Sequence, residues 1–218
     1  MNEFVIGQSV LGRPIAAVHF AAASYAKPRP PALLFGAIHG DEAVTALMLE
    51  RLAHDLTERP PGRETWIVPC LNVDGVLAGS KNNAHDVDLN RHFAAANWSA
   101  DHPPGYFSGT APETEPEVRA LVDLIDEAKA TRLVALHATY RTMNWDGSGK
   151  ELAEAMAALA GYPASGDIGY PTPGSFGSKY GFDRGLEVVT VEVPYLDIDE
   201  AAWIETRAAL RWVVDLPT

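Results

Sequence analysis

Residues 32–56 read ALLFGAIHGDEAVTALMLERLAHDL. Residues 32–38 are an unbroken apolar run bounded by proline and glycine, the mark of a strand buried on both faces. From residue 42 the period changes. Val44, Leu47, Met48, Leu52 and Leu56 recur at helical spacing and make one apolar stripe. A buried strand that runs directly into an amphipathic helix is the repeating unit of an α/β domain.

The same reading extends outward. Residues 13–20, 65–70, 132–138 and 187–194 read as strands, and Gly7 and Gly12 mark a hairpin start before the first of them. Residues 115–130 and 199–214 read as amphipathic helices, the second capped by Asp199. Residues 27–31, KPRPP, turn the chain between strands, because proline is excluded from central ladders. The expected fold is α/β: a mixed, largely parallel central sheet with helices on both faces, in a single domain over residues 1–218. Ligands of such sheets gather at the carboxyl ends of the strands. Residues 71–112 are long, polar and rich in Asn, Asp and Gly, and a loop of that length inside a compact domain is usually functional.

Composition narrows the function. The chain has 218 residues, 47% hydrophobic and 21% charged, with 17 basic against 29 acidic side chains and a net charge of -12. An acidic chain lacks the clustered cations that bind nucleic-acid phosphates or anionic membranes. A single cysteine, Cys70, excludes an intrachain disulfide and a Cys-rich metal site and reads as a buried strand residue. The N-terminal MNEFVIGQSVLG has no signal-peptide pattern, and no stretch approaches ~18 uninterrupted apolar residues. A soluble, cytoplasmic protein is expected.

Four constellations carry chemistry. His39 stands where a buried strand ends, and Glu42 follows three residues later; both residue types ligate Zn²⁺, although HxxE alone also fits a loop cap and a favourable helix start. His137 ends the strand at 132–138, and two histidines with one glutamate make a three-ligand site that leaves a fourth position for water. Asp88, Asn90 and Arg91 lie together in the long loop. Arg91 offers a planar fork for a carboxylate, Asn90 a donor beside it, and Asp88 an acceptor for the second ring proton of a ligand histidine. Glu192 sits within the apolar strand TVEV, an expensive place for a carboxylate unless it is paired or serves as a general base. Outward-facing or structural alternatives exist for each piece alone; the four together favour a hydrolytic metal site.

The ordered segments HGDE (39–42), NVDG (72–75), VDLNRHF (87–93), LHA (136–138) and TVEVP (190–194) resemble the zinc carboxypeptidase family, as does IGQSVLGRPI (6–15). The similarity runs from about residue 7 to residue 212. AANW (95–98) and YPTPGSFGS (170–178) resemble the branch that cleaves between γ-D-glutamate and meso-diaminopimelate in recycled cell-wall peptides. The resemblance implies one Zn²⁺ held by His39, Glu42 and His137. It implies Glu192 as general base, Asp88 behind His39, and Asn90 with Arg91 on the free carboxylate of a C-terminal residue. It also implies a small peptide substrate. The family's usual oxyanion arginine corresponds to Lys81, which supplies charge without a planar fork. Tyr170 falls in the region of the substrate tyrosine, and Ser175 and Phe176 fall where the specificity pocket is expected. Asp86 and His92 replace the family's usual Gly and Asn and are expected to alter the pocket; His92 reads as a polar loop residue rather than an extra ligand. Two other readings remain: a zinc deacylase of N-acyl amino acids, which shares HxxE, a distant His and DLNR, and a catalytically silent binding module.

Overall fold

The computed structural model describes residues 1–24, 27–195 and 200–215. The apolar runs form an eight-stranded mixed sheet in the order β1-β2-β4-β3-β5-β8-β6-β7. Its strands are β1 (Asn2–Gln8), β2 (Pro14–Phe20), β3 (Ala32–Phe35), β4 (Thr65–Val68), β5 (Arg132–Ala138), β6 (Thr142–Gly147), β7 (Ala164–Ser165) and β8 (Glu187–Val193). Strands β4, β3, β5 and β8 are mutually parallel. The β1–β2 hairpin continues antiparallel onto β4, and β6 pairs antiparallel with β8.

Side chains alternate across the parallel strands, so the sheet separates two cores. Leu34, Val134, Leu136, Val189 and Val191 pack toward α1 (Val44–Glu58), α4 (Lys150–Ala160) and α5 (Glu200–Val214). Leu33, Phe35, Leu133, Ala135 and Val188 face the other side, against α3 (Pro116–Ala128) and the aromatic cluster of Phe93, Phe176 and Tyr180. Helices therefore cover both faces, as the sequence implies. The elements between β5 and β8, namely β6, α4, β7 and the π-helical segment Gly177–Asp183, lie outside the sequence reading. The Asp199 cap falls outside the described residues. Cys70 is half-buried just beyond β4 rather than within it, and burial pushes its thiol up to about 12.

The long segment after β4 is tightly tied down. It forms α2 (Val73–Ala78) and a one-turn helix over Leu89–Arg91. Buried Asn72 caps α2 by accepting from Gly75 N at 2.9 Å, while its Nδ2 donates to Ile38 O and Lys81 O. HGDE and NVDG are thus one interlocked unit. A Cβ on Gly40 would lie 2.1 Å from the carbonyl carbon of Gly75, so only glycine lets the two turns touch. His92 is a second pin. It is fully buried, its Nδ1 donates to Ser108 O, and its Nε2 accepts from the backbone of Thr114 and Glu115. It therefore orders the loop and does not shape the pocket. Asp86 is exposed, with φ of +60°, which explains why glycine suits this position; it too lies off the pocket.

Asn72→Ala removes the cap and two buried carbonyl partners. We expect a loss of about 2 kcal/mol of unfolding free energy, read as a lower denaturant midpoint at unchanged slope. A midpoint equal to wild type would contradict the pinning role of Asn72.

Candidate metal centre and active site

The site lies at the carboxyl ends of β3, β5 and β8, where open parallel sheets leave a crevice. β3 ends at Phe35 and the chain continues through Gly36, Ala37 and Ile38 to His39. The turn is fixed by Thr45, whose Oγ1 accepts from Ala37 N and donates to Glu42 O. This presents His39 and Glu42 inward. His137 is the penultimate residue of β5, and Glu192 lies directly beside it on β8.

One ligand atom from each of His39, Glu42 and His137 falls within 4.8 Å of the other two. Both imidazoles turn Nδ1 toward Glu42: His39 at 2.9 Å from Oε1, His137 at 3.0 Å from Oε2. The second contact lacks hydrogen-bond geometry, so buried Oε2 has a close neighbour but no hydrogen bond. Three convergent buried donors with an orphaned carboxylate oxygen fit a tetrahedral cation such as Zn²⁺, which takes N and O ligands at ~2.0–2.2 Å. The far side of His39 fits as well. Its Nε2 meets Asp88 Oδ1 at 3.2 Å, the carboxylate–histidine pairing that orients metal ligands.

The electrostatics follow from the same contacts. Burial disfavours the His39 imidazolium, but hydrogen bonds to Asp88 and Glu42 outweigh it and raise its pKa to about 9. Burial likewise opposes the Glu42 carboxylate, yet His137 and His39 hold it at about 2. Glu192 behaves in the opposite way. Burial, reinforced by the charge of Glu42, lifts its pKa above the usual carboxylate range, despite His137 beside it.

These groups open into a cavity of about 210 Å³ that also exposes Asn90, Arg91, Lys81, Tyr170 and Ser175. Asn90 is oriented from both sides: its Oδ1 accepts from Phe176 N at 3.0 Å and its Nδ2 lies 3.4 Å from His137 Nε2. Arg91 is buried and donates to Asn90 O, but no carboxylate pairs with it among the described residues. Lys81 differs. Its Nζ is 2.7 Å from Asp88 Oδ2, 3.3 Å from Gly105 O and 3.8 Å above the Tyr106 ring, so its charge is already engaged. Tyr170 stands at the rim with its ring 6.3 Å from that of Tyr140. Ser175 is buried and accepts from Ser178 N, whereas Phe176 belongs mostly to the aromatic core.

Sequence reasoning missed Tyr106, Tyr140, Asn144 and Asp146, all of which line the cavity. Asn144 and Asp146 alternate along β6, and that period of two was the signal available. Tyr106 and Tyr140 belong to no motif.

Two histidines and a glutamate around one point, with a desolvated glutamate alongside, define a metallohydrolase site. The zinc carboxypeptidase family model matches residues 1–154, and the chain belongs to that family and is a hydrolytic enzyme. Murein peptide amidase A of Escherichia coli (strain K12) is 34% identical over 208 residues, spanning 90% of this chain and 83% of that protein. The crystal structure of murein-tripeptide amidase MpaA from Escherichia coli O157 matches with a TM-score of 0.82 at 29% identity, covering 100% of this chain and 94% of that one. Thrombin activatable fibrinolysis inhibitor, at 19% identity and a TM-score of 0.82 over 97% of this chain and 68% of its own, shares the fold.

Asp146 yields a test of the electrostatics. Burial alone raises its pKa from 3.8 to about 6. The folded chain therefore holds this proton more tightly than the unfolded one, so stability is highest below pH ~4 and falls as pH rises toward ~6. Above that the carboxylate costs the fold on the order of 2–3 kcal/mol. Asp146→Asn is expected to melt several degrees above wild type at pH 7.5 and level with it at pH 4, by thermal scans. An equal shift at both pH values would contradict the desolvation argument.

Proposed function

We propose that the protein is a zinc-dependent amidase that releases a C-terminal residue from murein peptides by cleaving the bond between γ-D-glutamate and meso-diaminopimelate. It acts in the cytoplasm in cell-wall recycling, and residues 1–218 work as one catalytic domain. The observation that carries the reading is the convergence of His39, Glu42 and His137 beside Glu192. The likeness to murein peptide amidases over nearly the whole chain supports the substrate. No helix among the described residues is long and apolar enough to cross a membrane.

His39, Glu42 and His137 would hold Zn²⁺, which would supply a Lewis acid and lower the pKa of water toward ~7. Glu192 takes a proton from the attacking water and delivers it to the leaving amine. Its raised pKa suits both halves of that transfer, since a carboxylate nearer neutrality both accepts and returns a proton readily. Asp88 holds His39 in its ligating orientation. Arg91, buried and with no ion-paired carboxylate among the described residues, grips the free carboxylate of the departing residue, with the Asn90 amide beside it. Lys81 adds positive charge near the developing oxyanion, tempered by its pairing with Asp88. Ser175 lines the wall of the pocket and Tyr170 covers its rim.

The purified enzyme is expected to bind about one Zn²⁺ per chain and to lose activity on chelation. Glu192→Gln should keep the metal, by elemental analysis, and lose ~10²–10⁴-fold in kcat. Assays should show turnover of L-Ala-γ-D-Glu-meso-diaminopimelate and none of N-acetylaspartate or N-succinylglutamate. Turnover of the acyl amino acids alone would replace this reading with the deacylase, and metal binding without any turnover would replace it with a silent binding module.

A further inference from the structure

A buried guanidinium with no ion-paired carboxylate tends to find one, and two acids stand near Arg91. Asp88 is closed to it. Its Oδ1 meets His39 Nε2 at 3.2 Å and accepts from Asn90 N, and its Oδ2 is 2.7 Å from Lys81 Nζ. Asp101 is open. It lines, together with Arg91, a second hollow of about 270 Å³ beside the active cavity, whose other walls include Pro103, Pro171 and Pro173. Arg91 therefore has room to turn out of the active cavity and an acid to turn toward.

Tyr106 stands at that junction. Only Arg91, Tyr106 and Tyr170 line both the active cavity and the hollow. The Tyr106 ring meets two cations, with Lys81 Nζ 3.8 Å and Arg91 Cζ 5.2 Å from its centroid, both within cation–π range. The backbone around the ring is fixed by the segment that carries Arg91. Phe107 O accepts from Asp88 N at 2.8 Å, Ser108 O accepts from His92 Nδ1 at 2.7 Å, and Gly105 O accepts from Lys81 Nζ at 3.3 Å. The ring is thus anchored to the chain on either side of Arg91. An aromatic face suits this place better than an acid. A carboxylate would neutralise Arg91 and compete with the substrate, whereas a ring attracts the guanidinium and leaves its N–H fork for a carboxylate.

We propose that Tyr106 is a positioning residue, whose ring holds the Arg91 guanidinium in the active cavity and out of the neighbouring hollow, ready for the free carboxylate of the substrate. This rests on the amidase reading above and deepens it. Lys81 stays tied to Asp88 whatever occupies position 106, so loss of the ring falls on substrate binding rather than on charge at the oxyanion.

Tyr106→Leu and Tyr106→Ala should raise KM for L-Ala-γ-D-Glu-meso-diaminopimelate ~5–30-fold and leave kcat within ~2-fold, with metal content retained. Tyr106→Phe keeps the ring and should restore the wild-type KM. An unchanged KM in Tyr106→Leu, a loss in kcat alone, or a Tyr106→Phe enzyme as impaired as Tyr106→Leu overturns the proposal. The second readout is binding. Converting the carboxylate beside the scissile amide to a carboxamide removes what Arg91 grips, so Tyr106→Leu should weaken binding of the acid and leave binding of the carboxamide unchanged. Calorimetric titration of zinc-loaded Glu192→Gln, with and without Tyr106→Leu, makes this comparison without turnover. A wild type that cleaves no murein peptide, alongside a preference for the acid that Tyr106→Leu removes, refutes the amidase reading and leaves the role of Tyr106 standing. A preference that Tyr106→Leu leaves intact refutes the role of Tyr106.

Discussion

Glu42 is the point on which the site turns. Its carboxylate is buried between two imidazole Nδ1 atoms at 2.9 and 3.0 Å, and one of its oxygens has no hydrogen bond. Asp88 and Glu192 add further buried acid on either side. Such a group of charges is not stable in a low-dielectric pocket without compensating positive charge. Part of it comes from a protonated His39, held charged by Asp88 and Glu42 together. A divalent cation at the same point would replace that proton and satisfy His39, Glu42 and His137 at once. The surrounding scaffold is arranged to make those donors converge.

That convergence depends on backbone more than on side-chain packing. β3 and β5 are adjacent and parallel, so their carboxyl ends lie a strand spacing apart, ~4.8 Å, within reach of one ion. His39 is four residues beyond the end of β3, however, and needs an external brace. Asn72 supplies it by bonding Ile38 O, Lys81 O and Gly75 N, and the Gly40–Gly75 contact closes the two turns on each other. Lys81 and Asp88 belong to the same continuous segment. The brace on the ligand turn and the groups behind His39 are therefore set by one piece of chain.

The sequence was legible where burial imposes a period. The strand over 132–138 matches β5 to the residue, and the helices over 42–56 and 115–130 match α1 and α3 to within two residues at each end, because their apolar positions repeat against a core. β6 was not legible. Its polar residues Thr142, Asn144 and Asp146 alternate with Met143 and Trp145, but the run is short and Asp146-Gly147 looks like a turn. The ligand residues stood out because His39 and His137 end apolar runs and Glu42 follows His39 at a spacing of three. His92 lies in the polar stretch DLNRHF, and only its contacts reveal a structural pin.

The charge arrangement also separates residues that composition cannot. Lys81 and Arg91 are both cations on the cavity wall, but Lys81 is paired with Asp88 and Arg91 has no carboxylate among the described residues. A free carboxylate entering the cavity therefore gains most from Arg91, since a cation already neutralised at 2.7 Å has little field left to offer. The two acids of the cavity, buried Glu192 and half-buried Asp146, are separated by position. Glu192 lies beside His137 and the cluster of His39 and Glu42, whereas Asp146 is four strand positions away. Residue type is the same in kind for both, and the strand register sets them apart.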